Sequence, residues 1–161
     1  FTRGSGHDKH GKYTENSEAY LEVVNRLSDK IRSAADHVPA PEVYHGEGSA
    51  SFGIVSVGGC HWAVLEARDE LLADGIDIDY LRVRGFPFNK TVADFLAEHD
   101  TVFVVEQNRD AQLKTLLCNE TGCPDSKLVS VRYYGGQPLS KEHVLEGVRP
   151  VLADATLEAT P

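Results

Sequence analysis

The sequence predicts an α/β fold, a mostly parallel β-sheet covered by helices on both faces. Three observations carry that expectation. From Phe52 onward, apolar strand-like runs alternate with helical patterns across short connections. The run Thr101–Val105 is apolar or β-favouring at every position, as suits a strand buried on both faces. It passes directly into Glu106, Gln107, Asn108, Arg109 and Asp110. Polar groups therefore collect at its carboxyl end, where open α/β sheets place what meets ligands or partners.

Residues 1–16 are polar and Gly-rich without a period, which predicts a loop or an arm ordered by a neighbour. A long helix follows. Tyr20, Val24, Leu27, Ile31, Ala34 and Val38 alternate spacings of four and three, giving one narrow apolar stripe. Ser17 is expected to cap its start, with Glu18 in the favourable first turn, and Pro39 and Pro41 to stop it. So narrow a stripe suits packing against one surface, as at a domain boundary. Residues 42–51 read as a turn-rich bridge with a short strand at Glu42–His45.

Phe52–Val57 is the first buried strand, then Gly58-Gly59, then a helix over His61–Ala73. Its inward residues are expected to be Val64, Leu65, Ala67, Leu71 and Leu72, with Gly75 closing it. Trp62 is expected to pack, its indole N–H on a partner. Ile78–Val83 forms the second strand, and Phe86-Pro87-Phe88 beyond it reads as a lid on the core or an exposed contact. Thr91 is expected to cap a short helix carrying Val92, Phe95 and Leu96, with Asp94 completing a capping box. After the third strand, Leu113, Leu116 and Leu117 mark the inward face of the next helix. Leu128–Tyr133 is the fourth long strand. Ser140 caps a last helix through Val144, Leu145 and Val148, which Pro150 is expected to end. The organisation expected is an arm at 1–16, a helix and linker at 17–41, an α/β domain at 42–150 and a tail at 151–161.

A chain of 161 residues suffices for one domain with an appendage. The formal charge of −9 argues against nucleic-acid or acidic-membrane binding, both of which need basic surface. No apolar run approaches the ~20 residues of a membrane span, and no secretory signal is visible. The three cysteines, Cys60, Cys118 and Cys123, fit neither a disulfide framework nor a zinc pattern, which predicts reduced thiols and a cytoplasmic protein. The chain starts at Phe1 and holds no methionine, as expected of a piece of a longer polypeptide.

Two segments invite a functional reading. Glu106, Gln107, Asn108 and Arg109 are candidates for contact with a partner subunit or with an anion at the following helix start. The alternative is local: Asn108 or Asp110 caps that helix and Glu106 pairs with Arg109. Gly58-Gly59-Cys60 opens a helix as a phosphate loop would, but lacks dinucleotide spacing and a Lys-Ser/Thr pair, so it is a weak anion-site candidate. Cys60 near a helix start is either activated or an inert thiol. His7, Asp8 and His10 have metal-ligand chemistry without further ligands, and no metal site is expected. No nucleophile elbow or acid–base constellation emerges, so no catalytic or cofactor-binding residue is assigned.

Leu81-Arg-Val-Arg-Gly-Phe-Pro-Phe88, followed by Thr101-Val-Phe-Val-Val-Glu-Gln-Asn-Arg-Asp-Ala-Gln-Leu113, resembles the second domain of the α subunit of 2-oxoacid:ferredoxin oxidoreductases. The 2-oxoglutarate branch looks most similar. Thr2-Arg-Gly-Ser-Gly-His-Asp8 with Tyr13-Thr-Glu15 resembles the segment joining the family's first domain to a long helix, which makes Arg3, His7 and Asp8 contact candidates. Lys127–Val131, Tyr134-Gly-Gly and Pro138-Leu139 extend the match to about Val148. The resemblance implies a transketolase C-terminal-domain-like fold, three α/β/α layers around a mixed five-stranded sheet whose antiparallel member would be Glu42–His45. It implies thiamine-diphosphate chemistry that turns a 2-oxoacid and coenzyme A into acyl-CoA and CO2, with electrons passing to ferredoxin. Thiamine diphosphate, Mg2+ and a 4Fe–4S cluster are expected in the parent complex, held by a β subunit and the first α domain rather than by this chain. Ala111 stands where many family members have glycine. Alternatives left open are a pyruvate or branched-chain 2-oxoacid enzyme, and a non-catalytic anion- or nucleotide-binding module.

Overall fold

The structure, a computed structural model, describes residues 6–46 and 51–158, of 156–158 the backbone alone. Its elements are α1 (Ser17–Ser33), β1 (Glu42–Tyr44), β2 (Phe52–Val57), α2 (His61–Ala73), β3 (Asp79–Val83), α3 (Lys90–Glu98), β4 (Thr101–Glu106), α4 (Gln112–Thr121), β5 (Leu128–Arg132) and α5 (Lys141–Glu158). The five strands form one sheet in the order β1-β3-β2-β4-β5. All neighbours are parallel except β1, which runs antiparallel to β3 in the register Glu42↔Arg82, Val43↔Leu81, Tyr44↔Tyr80. This is the mixed, mostly parallel sheet that the resemblance implied, with the odd strand where it was expected. Glu42 fastens that edge strand by ion pairs to Arg82 at 3.2 Å and Arg84 at 3.0 Å.

Side-chain alternation along the strands builds two cores, one on each face. Ile54, Tyr80, Phe103, Val105 and Val131 meet α2 and α5 through Val64, Ala67, Leu71, Val144 and Val148. Val55, Leu81, Val83, Val102, Val104 and Leu128 meet α3 and α4 through Val92, Phe95, Leu96, Leu113 and Leu117. The central strands are apolar throughout because both faces are covered, and the architecture is three-layered α/β/α.

Two polar clusters inside this frame are paired, whereas Asn89 Oδ1 is buried without a partner. The Tyr80 hydroxyl lies 2.7 Å from Ser56 Oγ and 3.2 Å from His61 Nδ1, and burial pushes Tyr80 up to about 12. At the opposite end of the sheet, Asp79 Oδ2 lies 3.1 Å from His45 Nδ1 and 3.3 Å from His99 Nε2, while Oδ1 accepts the Gly46 N–H at 2.8 Å.

Several local expectations are corrected. Asn16, not Ser17, caps α1, its Oδ1 accepting the Ala19 N–H at 2.9 Å; α1 ends at Ser33 and the stripe runs on through a 3-10 turn at Ala34–Asp36. Asn89 occupies the cap position of α3, so Thr91 lies inside the helix, and Asp94 pairs with Lys90 instead of closing a capping box. Leu72 and Trp62 are exposed, Trp62 by 72%. Pro150 does not end the last helix. Residues 151–158, expected as a tail, continue α5 to Glu158, because Val151 and Leu152 pack into the α2–α5 core and hold the turn in place. No helix among the described residues is long and apolar enough to cross a membrane.

Candidate functional site

β2 and β4 lie side by side, yet the chain leaves β2 for α2 on one face and β4 for α4 on the other. Their carboxyl ends therefore flank a topological switch point, the usual crevice for ligands in open α/β sheets. Gly58-Gly59-Cys60 lies on one side of that crevice and Glu106–Asp110 on the other. The fold thus brings together the two segments singled out in the sequence.

Glu106 is the last residue of β4 and is fully buried. It continues the alternation of Val102 and Val104, which aims its side chain at the α4 face. There Oε2 accepts the Leu113 N–H at 2.7 Å and Oε1 the Lys114 N–H at 3.2 Å, two of the free amides of the first turn of α4. The Asn108 side-chain amide donates to the same carboxylate. A strand residue thus supplies the negative cap that α4 lacks at Ala111, its own cap position, where φ is 53°. Ala111 is the one non-glycine residue with positive φ among the described residues, a backbone conformation that favours glycine.

The rest of the block is mutually engaged. Asn108 Oδ1 accepts the N–H groups of Asp110 at 3.0 Å and Gln112 at 3.2 Å. Arg109 pairs with Asp110 at 2.7 Å rather than with Glu106, and its carbonyl accepts Arg132 Nη1 at 2.6 Å. Gln107 stays exposed, its amide 3.5 Å from the Gln137 carbonyl. Capping is thus the work of Glu106 with Asn108, an assignment the sequence reading gave to Asn108 or Asp110 alone.

Across the crevice, Gly58–Cys60 form a 3-10 turn leading into α2, with φ of 64° at Gly58. A Cβ on Gly59 would lie 3.3 Å from Gln107 Oε1, so that side chain sits close over the turn. Cys60 is buried, and desolvation pushes its thiol up to about 11 against the lowering pull of the Gln107 backbone N–H. Burial and the raised value both favour the inert reading of this thiol over the activated one.

A cavity of about 390 Å3 opens beside the crevice, lined by Val57, Val83, Phe86, Phe88, Leu113 and Leu116 with Arg84, Glu106, Asn108 and Gln112 at its polar side. Sequence reasoning did not place Arg84 or Gln112 here. Their positions just beyond β3 and at the start of α4 were the available signal. Phe88 packs on the core while Phe86 is half-exposed, so the Phe-Pro-Phe segment divides between the two roles expected of it.

The arm lies against the start of α1, with Lys9 3.7 Å from Glu22. His7 bridges to Tyr13, and Asp8 Oδ1 accepts the His10 and Lys12 N–H groups, each at 2.9 Å. The Lys12 amide foremost holds the Asp8 carboxyl below its usual value. Arg3 lies outside the described residues.

A 4Fe–4S cluster takes four thiolates, and of the three cysteines Cys60 is sealed in the α2 core. Among the described residues no three His, Cys, Asp or Glu side chains are grouped to hold a metal ion.

No family model matches the chain. It is 31% identical over 154 residues to 2-oxoacid:ferredoxin oxidoreductase 2, subunit alpha, of Aeropyrum pernix, which spans 92% of this chain and 24% of that protein. With the corresponding α subunit of Saccharolobus solfataricus the identity is 27% over the same shares. Among solved structures, the 2-oxoglutarate:ferredoxin oxidoreductase of Magnetococcus marinus, with 2-oxoglutarate, coenzyme A and succinyl-CoA bound, aligns over 92% of this chain and 26% of its own at a TM-score of 0.79 and 26% identity. A split-gene transketolase, an inactive β4 tetramer, shares the fold over 70% of this chain and 41% of its own at a TM-score of 0.55 and 19% identity. The chain spans about a quarter of the length of the curated relatives it matches. Over nearly all of its own length, then, it is similar to one portion of the α subunits of 2-oxoacid:ferredoxin oxidoreductases.

Proposed function

We propose that this chain is the transketolase C-terminal-like domain of the α subunit of a thiamine-diphosphate-dependent 2-oxoacid:ferredoxin oxidoreductase of the cytoplasm, with 2-oxoglutarate as substrate. The parent reaction cleaves the C1–C2 bond of the 2-oxoacid to release CO2. It joins the acyl carbon to the coenzyme A sulfur and passes two electrons, one at a time, to ferredoxin. Thiamine diphosphate, Mg2+ and the 4Fe–4S cluster belong to the β subunit and the first α domain in this reading. The segment 42–150 braces that assembly, with 1–16 and 17–41 leading in from the preceding domain. Arg3, His7, Asp8, Gln107 and Arg109 are the residues we assign to contact with the neighbouring α domain or the β subunit, whereas Glu106 and Asn108 hold α4 in place.

The observation that carries the reading is the 31% identity over 154 residues to an α subunit. The substrate rests on the Magnetococcus enzyme, which holds 2-oxoglutarate and succinyl-CoA. The bracing role rests on the site, whose buried carboxylate is consumed by helix capping and whose cysteine is inert. The test is ferredoxin reduction with thiamine diphosphate, Mg2+, coenzyme A and a 2-oxoacid. The complex with the β subunit should turn over 2-oxoglutarate, and the purified chain should turn over nothing. Turnover by the chain alone would refute the bracing role; preference of the complex for pyruvate or a branched-chain 2-oxoacid would refute the substrate.

A further inference from the structure

Helix α4 ends in a tight reversal. Gly122, at φ 72° and ψ 11°, takes the left-handed conformation, and its N–H returns to the Cys118 carbonyl at 3.0 Å. Thr121 ties the turn together: its Oγ1 donates to the Leu117 carbonyl at 2.7 Å and accepts the Cys123 N–H at 3.2 Å. At helix ends of this type the residue after the left-handed one comes back over the residue five positions earlier, and the two side chains touch. Those two positions are Cys118 and Cys123.

Spacing alone gave no reason to pair them. In a continuous helix, residues five apart point about 140° away from one another. The reversal at Gly122 brings them to one side. Ideal helix geometry continued through the Gly122 dihedrals sets the two Cα atoms about 6 Å apart, within the roughly 4.4–6.8 Å that a disulfide spans. Both cysteines are half-buried, and both pack against the core that α3 and α4 share with the sheet.

One of the two is open to small molecules. A cavity of about 240 Å3 lies beside the turn with Cys123 and Lys127 in its wall. The Lys127 Nζ, 3.1 Å from the Ala97 carbonyl, gives that cavity a cation that favours acidic molecules. Burial foremost raises the Cys123 thiol, Lys127 opposes the rise, and Cys118 is near enough to add to it.

We propose that Cys118 and Cys123 are a dithiol pair that closes reversibly into a disulfide across the end of α4, with a small-molecule disulfide as the oxidant. The Cys123 thiolate attacks one sulfur of RSSR and expels RS−. The Cys118 thiolate then attacks the Cys123 sulfur of the mixed disulfide and expels the second RS−. The protein loses two electrons and two protons, the oxidant takes up both, and two RSH leave. Disulfides in reducing compartments are of this transient, redox-responsive kind. Cys60, sealed in the other core, takes no part.

The inference does not rest on the enzymatic reading, and its test uses no turnover. The full chain is equilibrated in buffers of reduced and oxidised glutathione, quenched with acid, alkylated and mapped by mass. A peptide holding residues 118 and 123, unalkylated and two hydrogens lighter, should appear and should vanish on adding dithiothreitol. It should need about tenfold less oxidised glutathione than the same chain in urea, where only nearness in sequence acts. Cys118→Ser and Cys123→Ser, folded by circular dichroism, should each carry glutathione on the remaining thiol of the pair instead. The proposal is overturned if both cysteines of the folded parent carry glutathione, or if both stay free where the unfolded chain bridges. Equal bridging in the folded chain and in urea overturns it too, since the two residues are then only an apolar contact at a helix end.

Discussion

Replacing Glu106 by glutamine tests whether this carboxylate is a structural cap. Three donors converge on its two oxygens, the Leu113 and Lys114 amides at 2.7 and 3.2 Å and the Asn108 side chain. Glutamine has the same size but one acceptor oxygen. With that oxygen kept on Leu113 and Asn108, the new NH2 group faces the Lys114 N–H, donor against donor. Leaving a buried donor unsatisfied costs ~1–3 kcal/mol. Removing the negative charge from the first turn of α4 costs a further ~0.3–2 kcal/mol, toward the upper end because the group is fully buried. The expected loss is about 3 kcal/mol, a large part of the stability of one domain. The assay is urea unfolding followed by circular dichroism. With a slope of about 2 kcal/mol/M, the midpoint should fall by about 1.5 M while the slope is unchanged. Asn108→Ala, which removes the acceptor for Asp110 and Gln112 from a more exposed position, should cost about 1 kcal/mol. A Glu106→Gln midpoint within about 0.3 M of the parent would refute the capping account. The carboxylate would then be spare for a ligand.

Three further outcomes follow from the same geometry. Ala111→Gly should stabilise the chain by up to about 1 kcal/mol, since alanine at a φ of 53° carries strain that glycine does not; a loss of stability in thermal unfolding would contradict this. Burial raises the Asp79 carboxyl, but the Gly46 amide and the His45 and His99 rings outweigh it and hold the group below its ordinary value. Its folded-state pKa lies under the unfolded one, so its contribution is complete above about pH 4 and is lost as pH falls through the lowered value. Asp79→Asn should therefore narrow the stability gap to the parent as the medium is acidified below about pH 4, and a constant gap would count against the assignment. Cys60, with its thiol near 11, should resist alkylation in the native chain while Cys118 and Cys123, half-buried, react first; mass mapping that finds Cys60 labelled earliest would overturn the inert reading.

Most of the architecture was legible because period and punctuation agree. Val102–Val105 is apolar at every step, and a strand covered on both faces needs that. Gly75 with φ of 81° stands where a helix must turn away. What stayed hidden depended on contacts distant in sequence. Nothing local tells that Val151 and Leu152 will find the α2 core, yet that burial carries α5 past Pro150. Asn16 and Ser17 are both competent caps, and only the coordinates decide between them. Ending the third strand at Val105 set Glu106 with the exposed polar block. One more step of the alternation from Val102 and Val104 would have turned it inward, toward α4, and that signal was present in the sequence. Trp62 carried no such signal, since a helix-start tryptophan reads the same buried or exposed.

The distribution of polar capacity at the carboxyl edge bears on what such an edge can do. Catalysis needs a group held near its reactive state with lone pairs or protons to spare. Here the buried carboxylate spends both oxygens on backbone and side-chain amides, and the thiol opposite is pushed away from its reactive form. What the edge leaves exposed is of another kind: Trp62, Phe86 and Tyr134 with the Gln107 amide and the Arg109 guanidinium. Tryptophan, tyrosine and arginine are the residues that dominate binding at protein interfaces. On the proposed bracing role, a sheet end of this composition is what a neighbouring subunit grips. An edge that spends its acid on keeping α4 in register keeps those contact residues in register as well, so loosening the Glu106 cap should weaken assembly before it alters any chemistry.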